Sequence, residues 1–151
     1  MASKNKVSPR SAARLAAVQA LYQSEMSDET KVPMLIAEYI NHRLGQELEG
    51  DQYGDADQEM FSDIVTGALQ RADEIDELIT GSLSKDWPIE RLERILRAVL
   101  RAAGYEMMAR PDVPTAVIIN EYVDVAKAFY GRSEAGFING VLDKMGRTTR
   151  S

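Results

Sequence analysis

Residues 89–109 read IERLERILRAVLRAAGYEMMA, and their periodicity decides the fold class. At about 100° per residue, Leu92, Ile95, Leu96, Val99, Ala103 and Met107 share one face of a helix. Arg91, Arg94, Arg97 and Arg101 line another. One face is core and the other is an arginine stripe. Glu90 stands four residues before Arg94, and Glu93 four before Arg97. That orientation favours helix ion pairs of about 0.2–0.5 kcal/mol each, so these two arginines read as a solvated face. Arg101 has no acid four residues before it, and a structural clamp or a partner contact is expected there.

The same rhythm extends both ways from this segment. Pro111 and Pro114 bracket a turn, and Pro114 suits the start of a helix carrying Val117, Ile118, Tyr122, Val125 and Phe129. Ser133 is a candidate cap for a last helix with Ile138, Val141, Leu142 and Met145 on one face. Before the central stretch, Asp86, Trp87 and Pro88 mark a helix start. Residues 55–83 keep a helical rhythm through Met60, Ile64, Leu69, Ile75, Leu78 and Ile79, with a break expected near Gly67. At the other end, Ser8 and Pro9 suit an N-cap and first helical residue of an alanine-rich helix running to about Met26. Leu15, Val18, Tyr22 and Met26 recur along it, and its small side chains suggest a central place in the packing. Pro33 opens a further helix carrying Leu35, Ile36, Tyr39, Ile40 and Leu44, and residues 45–54 read as an acidic loop. No segment alternates with period two, so the expectation is an all-α fold of six to eight helices.

Composition narrows the setting. A chain of 151 residues with 44% hydrophobic and 28% charged residues has globular usage and the length of one domain. It has no cysteine, which rules out disulfides and thiolate metal sites. No apolar run has the length of a signal sequence or a membrane span, so a cytoplasmic protein is expected. The net charge is −6, yet its distribution is lopsided. Residues 1–24 contain Lys4, Lys6, Arg10 and Arg14 and no acid, whereas residues 25–80 contain fifteen acids against Lys31, Arg43 and Arg71. A basic end on an acidic body suits a polyanion partner, and otherwise is a solubilising tail. Arg10 and Arg14 favour the first reading because they lie one turn apart on a helix, near its expected exposed start.

Catalytic signatures are missing. There is no P-loop, dinucleotide-binding or nucleophile-elbow motif. His42 is the only histidine and reads as a surface residue. Asp51, Asp55, Asp57 and Glu59 lack the spacing of a calcium loop. Glu106 and Glu121 fall among apolar neighbours when their helices are drawn end-on. Two buried carboxylates suit acid–base chemistry, or else each is held by helix N-termini or by an arginine such as Arg101, because a buried charge needs compensation. With no cofactor motif beside them, the chain reads as a binding protein without a cofactor or metal.

The C-terminal stretch FINGVLD at Phe137–Asp143 resembles the signature that ends members of the NusB transcription antitermination family. Three more blocks match in the same order: AVQALYQ at 17–23, ILRAVLRAAGYEM at 95–107, and DVPTAVIINEYVDVAKAFYG at 112–131. This resemblance implies a compact NusB-like fold of about seven helices in two packed helical subdomains. It would form one RNA-binding domain over residues 1–151, with 1–7 a flexible basic tail. It also implies that the chain binds single-stranded boxA RNA together with the small-subunit ribosomal protein that acts as NusE. Within the RNA polymerase antitermination complex, the pair would favour processive transcription of ribosomal RNA operons.

On that resemblance Lys4, Lys6, Arg10, Arg14 and Phe137 are the RNA-binding candidates. Tyr22, Leu96, Arg97 and Arg101 are the candidates for the ribosomal partner. Phe137 is equally readable as a core residue, and Tyr22 likewise. Ser11 and Ala12 stand where relatives carry a more basic arm, and Gly136 where some have lysine, so weaker intrinsic RNA binding is expected. Leu96 replaces an acidic or polar residue of the partner face. Two other functions stay open: a NusB-like module associated with RNA methylation, and a structural helical interaction module.

Overall fold

A computed structural model describes residues 8–26 and 57–150. These form six α-helices: α1 (Pro9–Met26), α2 (Gln58–Gln70), α3 (Ala72–Ser82), α4 (Arg94–Ala109), α5 (Thr115–Phe129) and α6 (Arg132–Thr149). A single 3-10 turn, Ile89–Arg91, precedes α4, and no strand occurs among the described residues. The all-α class expected from the sequence is what the fold shows. The helix expected from Pro33 to Leu44, together with His42 and the acidic loop, lies outside the described residues.

The hub of the packing is α4, which contacts each of the other five helices. Its central place explains why it is buried almost all round: besides Leu96, Val99, Ala103 and Met107, the residues Ala98, Leu100, Ala102, Gly104, Tyr105 and Glu106 are buried too. The first helix, expected to be central on account of its alanines, packs against α2, α4 and α5. Those alanines do allow close approach, since Ala12, Ala13, Ala16, Ala17 and Ala20 are all buried. With Val18 and Leu21, the last four of these alanines join one hydrophobic cluster shared with Phe61, Ile64, Ile75, Ile118, Ile138 and Leu142.

Local chemistry accounts for the helix ends. Ser8 Oγ accepts from the backbone N–H of Ser11 at 3.1 Å, so Ser8 caps α1 with Pro9 as its first residue. Asp57 caps α2 by accepting from Met60 N at 2.9 Å. The α2–α3 break falls at Arg71, four residues after the glycine expected to cause it. Gly67 lies inside α2 for a different reason: a Cβ there would run into the ring of Tyr105 on α4. The glycine lets the two helices approach.

The predicted helix 89–109 also starts later than its periodicity suggests. Pro88, Leu92 and Glu93 are extended, and the α-helix begins only at Arg94. Glu90 and Glu93 therefore precede the helix on which their expected partners stand. Arg97 instead turns back over this entry and donates to the carbonyls of Ile89, Glu90 and Leu92 at 3.5, 3.3 and 3.1 Å.

Candidate functional site

The exposed cation of α1 is Arg10, on the first helical turn. Its neighbours hold that turn in place. Ser11 Oγ donates to Glu121 Oε1 of α5 at 2.6 Å, and the backbone N–H of Asp57 donates to the carbonyl of Pro9 at 3.0 Å. Lys4 and Lys6 lie outside the described residues.

Arg14 corrects the sequence reading. Expected beside Arg10 at an exposed helix start, it is only 2% exposed. Its Nε and Nη2 donate to Glu106 Oε2 and Oε1 at 2.7 and 3.0 Å, and its Nη1 lies 3.2 Å from Glu121 Oε1. Glu106 is fully buried, and its Oε2 also accepts from the Tyr122 hydroxyl at 2.6 Å. The compensation foreseen for Glu106 exists, with Arg14 in place of Arg101. Burial works against the guanidinium charge, but the hydrogen bond and charge of Glu106 outweigh it and hold the Arg14 pKa above its ordinary value. Burial, reinforced by the Glu106 carboxylate, pushes the Tyr122 hydroxyl well above the usual tyrosine range. Glu106, held by Arg14 and Tyr122 inside the fold, is a structural carboxylate that joins α1, α4 and α5.

At the opposite end of α1 the arginine stripe meets two acids. Arg97 Nη2 donates to Glu25 Oε2 at 2.6 Å, and Arg101 binds Asp76 through Nε and Nη2, both at 2.8 Å. Arg101 is thus a clamp between α4 and α3. Arg97 ties α1 to the start of α4, contrary to the solvated Glu93–Arg97 pair expected. Tyr22 is half-buried against the core.

Leu96 and Phe137, assigned to different ligands on the sequence, meet in one groove. A cavity of about 330 Å³ is lined by Trp87, Arg91, Leu92, Glu93, Leu96, Glu134 and Phe137. Leu96 is buried, while Phe137 is 39% exposed. The guanidinium of Arg91 sits 5.7 Å from the ring centroid of Trp87, within cation–π range. In the sequence Trp87 marks only a helix start. Its exposure beside Phe137 makes it a surface aromatic that no periodicity rule would have singled out. Arg10 is remote from this groove: it lies at the α1 end that faces Glu106, ten residues along α4 from Leu96, or about 15 Å at 1.5 Å per residue.

The fold and these contacts can be set beside known proteins. The NusB family model matches residues 11–147. The chain belongs to the NusB family. This NusB-family chain is 56% identical to the transcription antitermination protein NusB of Sphingopyxis alaskensis over 141 residues, covering 93% of this chain and 94% of that relative. T. maritima NusB superposes with a TM-score of 0.71 at 33% identity, covering 93% and 92% of the two chains. A chain in the crystal structure of antitermination factors NusB and NusE in complex with dsRNA superposes with a TM-score of 0.72 at 23% identity, covering 91% of this chain and 96% of that one. No group of three or more potential metal ligands occurs among the described residues, and no described helix is long and apolar enough to cross a membrane.

Proposed function

We propose that this NusB-family chain is a cytoplasmic transcription antitermination adaptor that binds RNA jointly with the ribosomal protein acting as NusE. The observation that carries this reading is the match to relatives named for antitermination over nearly the whole chain. The structural relative seen with both NusE and RNA gives it a physical form. The RNA proposed is boxA in single-stranded form, and the process is transcription of ribosomal RNA operons by RNA polymerase carrying the antitermination complex. Residues 1–151 act together as one RNA-binding domain.

The division of labour follows from chemistry. Arg10, exposed at a helix start, suits a phosphate contact, with Lys4 and Lys6 extending the same basic end. Phe137 offers an exposed ring on which an unpaired base can stack. The wall of the same groove at Leu96, with the half-buried Tyr22 of α1, belongs to the protein partner, and Arg97 and Arg101 support that face by holding α4 to α1 and α3. Arg14 leaves the contact set because its guanidinium is consumed inside the fold.

Titrating boxA RNA in single- and double-stranded form at several salt concentrations, with and without the ribosomal protein, tests the reading. Binding of the single strand, strengthened by the ribosomal protein, is the expected result. Arg10→Ala should flatten the dependence of log affinity on log salt by about 0.7, the share of one phosphate contact on a single strand. Phe137→Ala should weaken binding with the slope unchanged. Absence of RNA binding in the presence of the ribosomal protein would overturn the proposal.

A further inference from the structure

A continuous polar chain runs from the interior of the bundle to the turn that carries Arg10. It begins at the Tyr122 hydroxyl, passes through Glu106 to Arg14 and on to Glu121, and emerges through Ser11 to Ser8, whose hydroxyls are 2.9 Å apart. Its inner members are buried and its outer members half-buried or exposed. Three buried hydrogen bonds already compensate Arg14 and Glu106, yet the chain continues outward and ends beside the exposed cation. A turn held only by its own cap frays readily, because its first N–H groups have no partners within the helix. This turn is fastened on one side to α5 through Ser11 and on the other to the start of α2 through Pro9.

We propose that Ser11 and Glu121, braced from within by Arg14 and Glu106, are positioning residues that fix the first turn of α1 and so set the direction in which Arg10 meets RNA. The inference rests on the RNA-binding reading above. It assigns no RNA contact to Ser11, Glu121 or Arg14. Their contribution is the ordering cost removed before binding, since an arginine already held in its bound orientation surrenders less freedom when it engages a phosphate.

Two variants of the full chain separate this role from the alternatives. Ser11→Ala removes the tether and no charge. The residue keeps its backbone N–H, so the Ser8 cap survives, and alanine is the better helix former. Glu121→Ala removes a negative charge beside a polyanion site, so simple electrostatics predicts tighter RNA binding, whereas loss of the tether predicts weaker binding. Both variants are compared with wild type and Arg10→Ala by hydrogen exchange of the free protein and by boxA RNA titration with the ribosomal protein present.

The expected result is faster amide exchange confined to the first turn of α1 in both tether variants. RNA binding should be weaker by about threefold to tenfold, the scale of one hydrogen bond, with the wild-type salt slope. Arg10→Ala should instead flatten the slope and leave exchange in the free protein unchanged. Wild-type affinity in Ser11→Ala, tighter binding in Glu121→Ala, or weaker binding without faster exchange would each overturn the positioning role. If wild type itself binds no RNA, the function proposed above fails and takes this role with it, an outcome distinct from any of those three.

Discussion

The two ends of the α1–α4 contact both join an arginine to acids, but they place these groups in different surroundings. At the inner end the Arg14 side chain is 3% exposed and that of Glu106 is 0% exposed. At the outer end Arg97 and Arg101 are 11% and 25% exposed, opposite Glu25 and Asp76 at 26% and 32%. The inner pair has surrendered its hydration and depends on protein partners for all of its stabilisation. The outer groups keep water within reach, except that Arg97 Nε is buried without a hydrogen-bond partner among the described residues. The lesson is that the number of ion pairs says little about their worth. What counts is what remains when one member is deleted.

Deleting members one at a time therefore should give a graded series. Glu106→Ala should have the largest effect, about 3–5 kcal/mol of unfolding free energy by denaturant titration, because it leaves a buried guanidinium with only the part-exposed Glu121 as counter-charge. A loss below 1 kcal/mol would mean that water reaches Arg14 and would erase the contrast between the ends. Arg97→Met comes next, at about 1.5–3 kcal/mol, since it removes a charged donor from Glu25 and from the carbonyls before α4.

Tyr122→Phe should cost about 1 kcal/mol at neutral pH, leaving Arg14 on Glu106. It should also change the alkaline limb of stability. The folded Tyr122 hydroxyl keeps its proton beyond the pH at which an unfolded tyrosine loses it. Above about pH 10 the unfolded state consequently binds fewer protons, and stability falls as pH rises. The phenylalanine variant should show a shallower fall in urea unfolding between pH 9 and 11, values set by the ordinary tyrosine pKa of about 10. Some decline should persist, because burial and the hydrogen bond to Asp63 push Tyr105 up to about 12. Smallest of all should be the Arg101–Asp76 coupling, about 0.2–1 kcal/mol in a double-mutant cycle and reduced by salt.

The same contrast explains what the sequence could and could not disclose. Helices α4, α5 and α6 were legible because their apolar residues repeat at helical spacing, and the Ser8–Pro9 start of α1 because capping is local chemistry. The later start of α4 was not legible: the spacing of Ile89, Leu92 and Ile95 is the same whether the backbone there is α-helical or a 3-10 turn followed by extended residues. Arg14 was misplaced for a related reason. Arg14, Val18 and Leu21 stand at i, i+4 and i+7 and share a buried face, whereas the face drawn through Leu15, Val18 and Tyr22 put arginine outside. The partner that makes this burial tolerable is 92 residues away. Glu106 and Glu121 stand out in the sequence as carboxylates among apolar neighbours, and only the tertiary structure supplies their common cation, Arg14. The groove shared by Leu96 and Phe137 joins residues from α4, α6 and the turn before α4, and none of those juxtapositions is a property of local sequence.

Arg150 gives the order of chain synthesis a structural meaning. Its guanidinium gathers the carbonyls of Glu106, Met107, Arg110 and Val113 together with the hydroxyl of Thr115, closing the corner where α4 turns into α5. On a ribosome that corner emerges first and must wait for a residue made 40 positions after Arg110. Until then the hub helix has an open end, so the bundle can assemble around α4 before its last turn is latched.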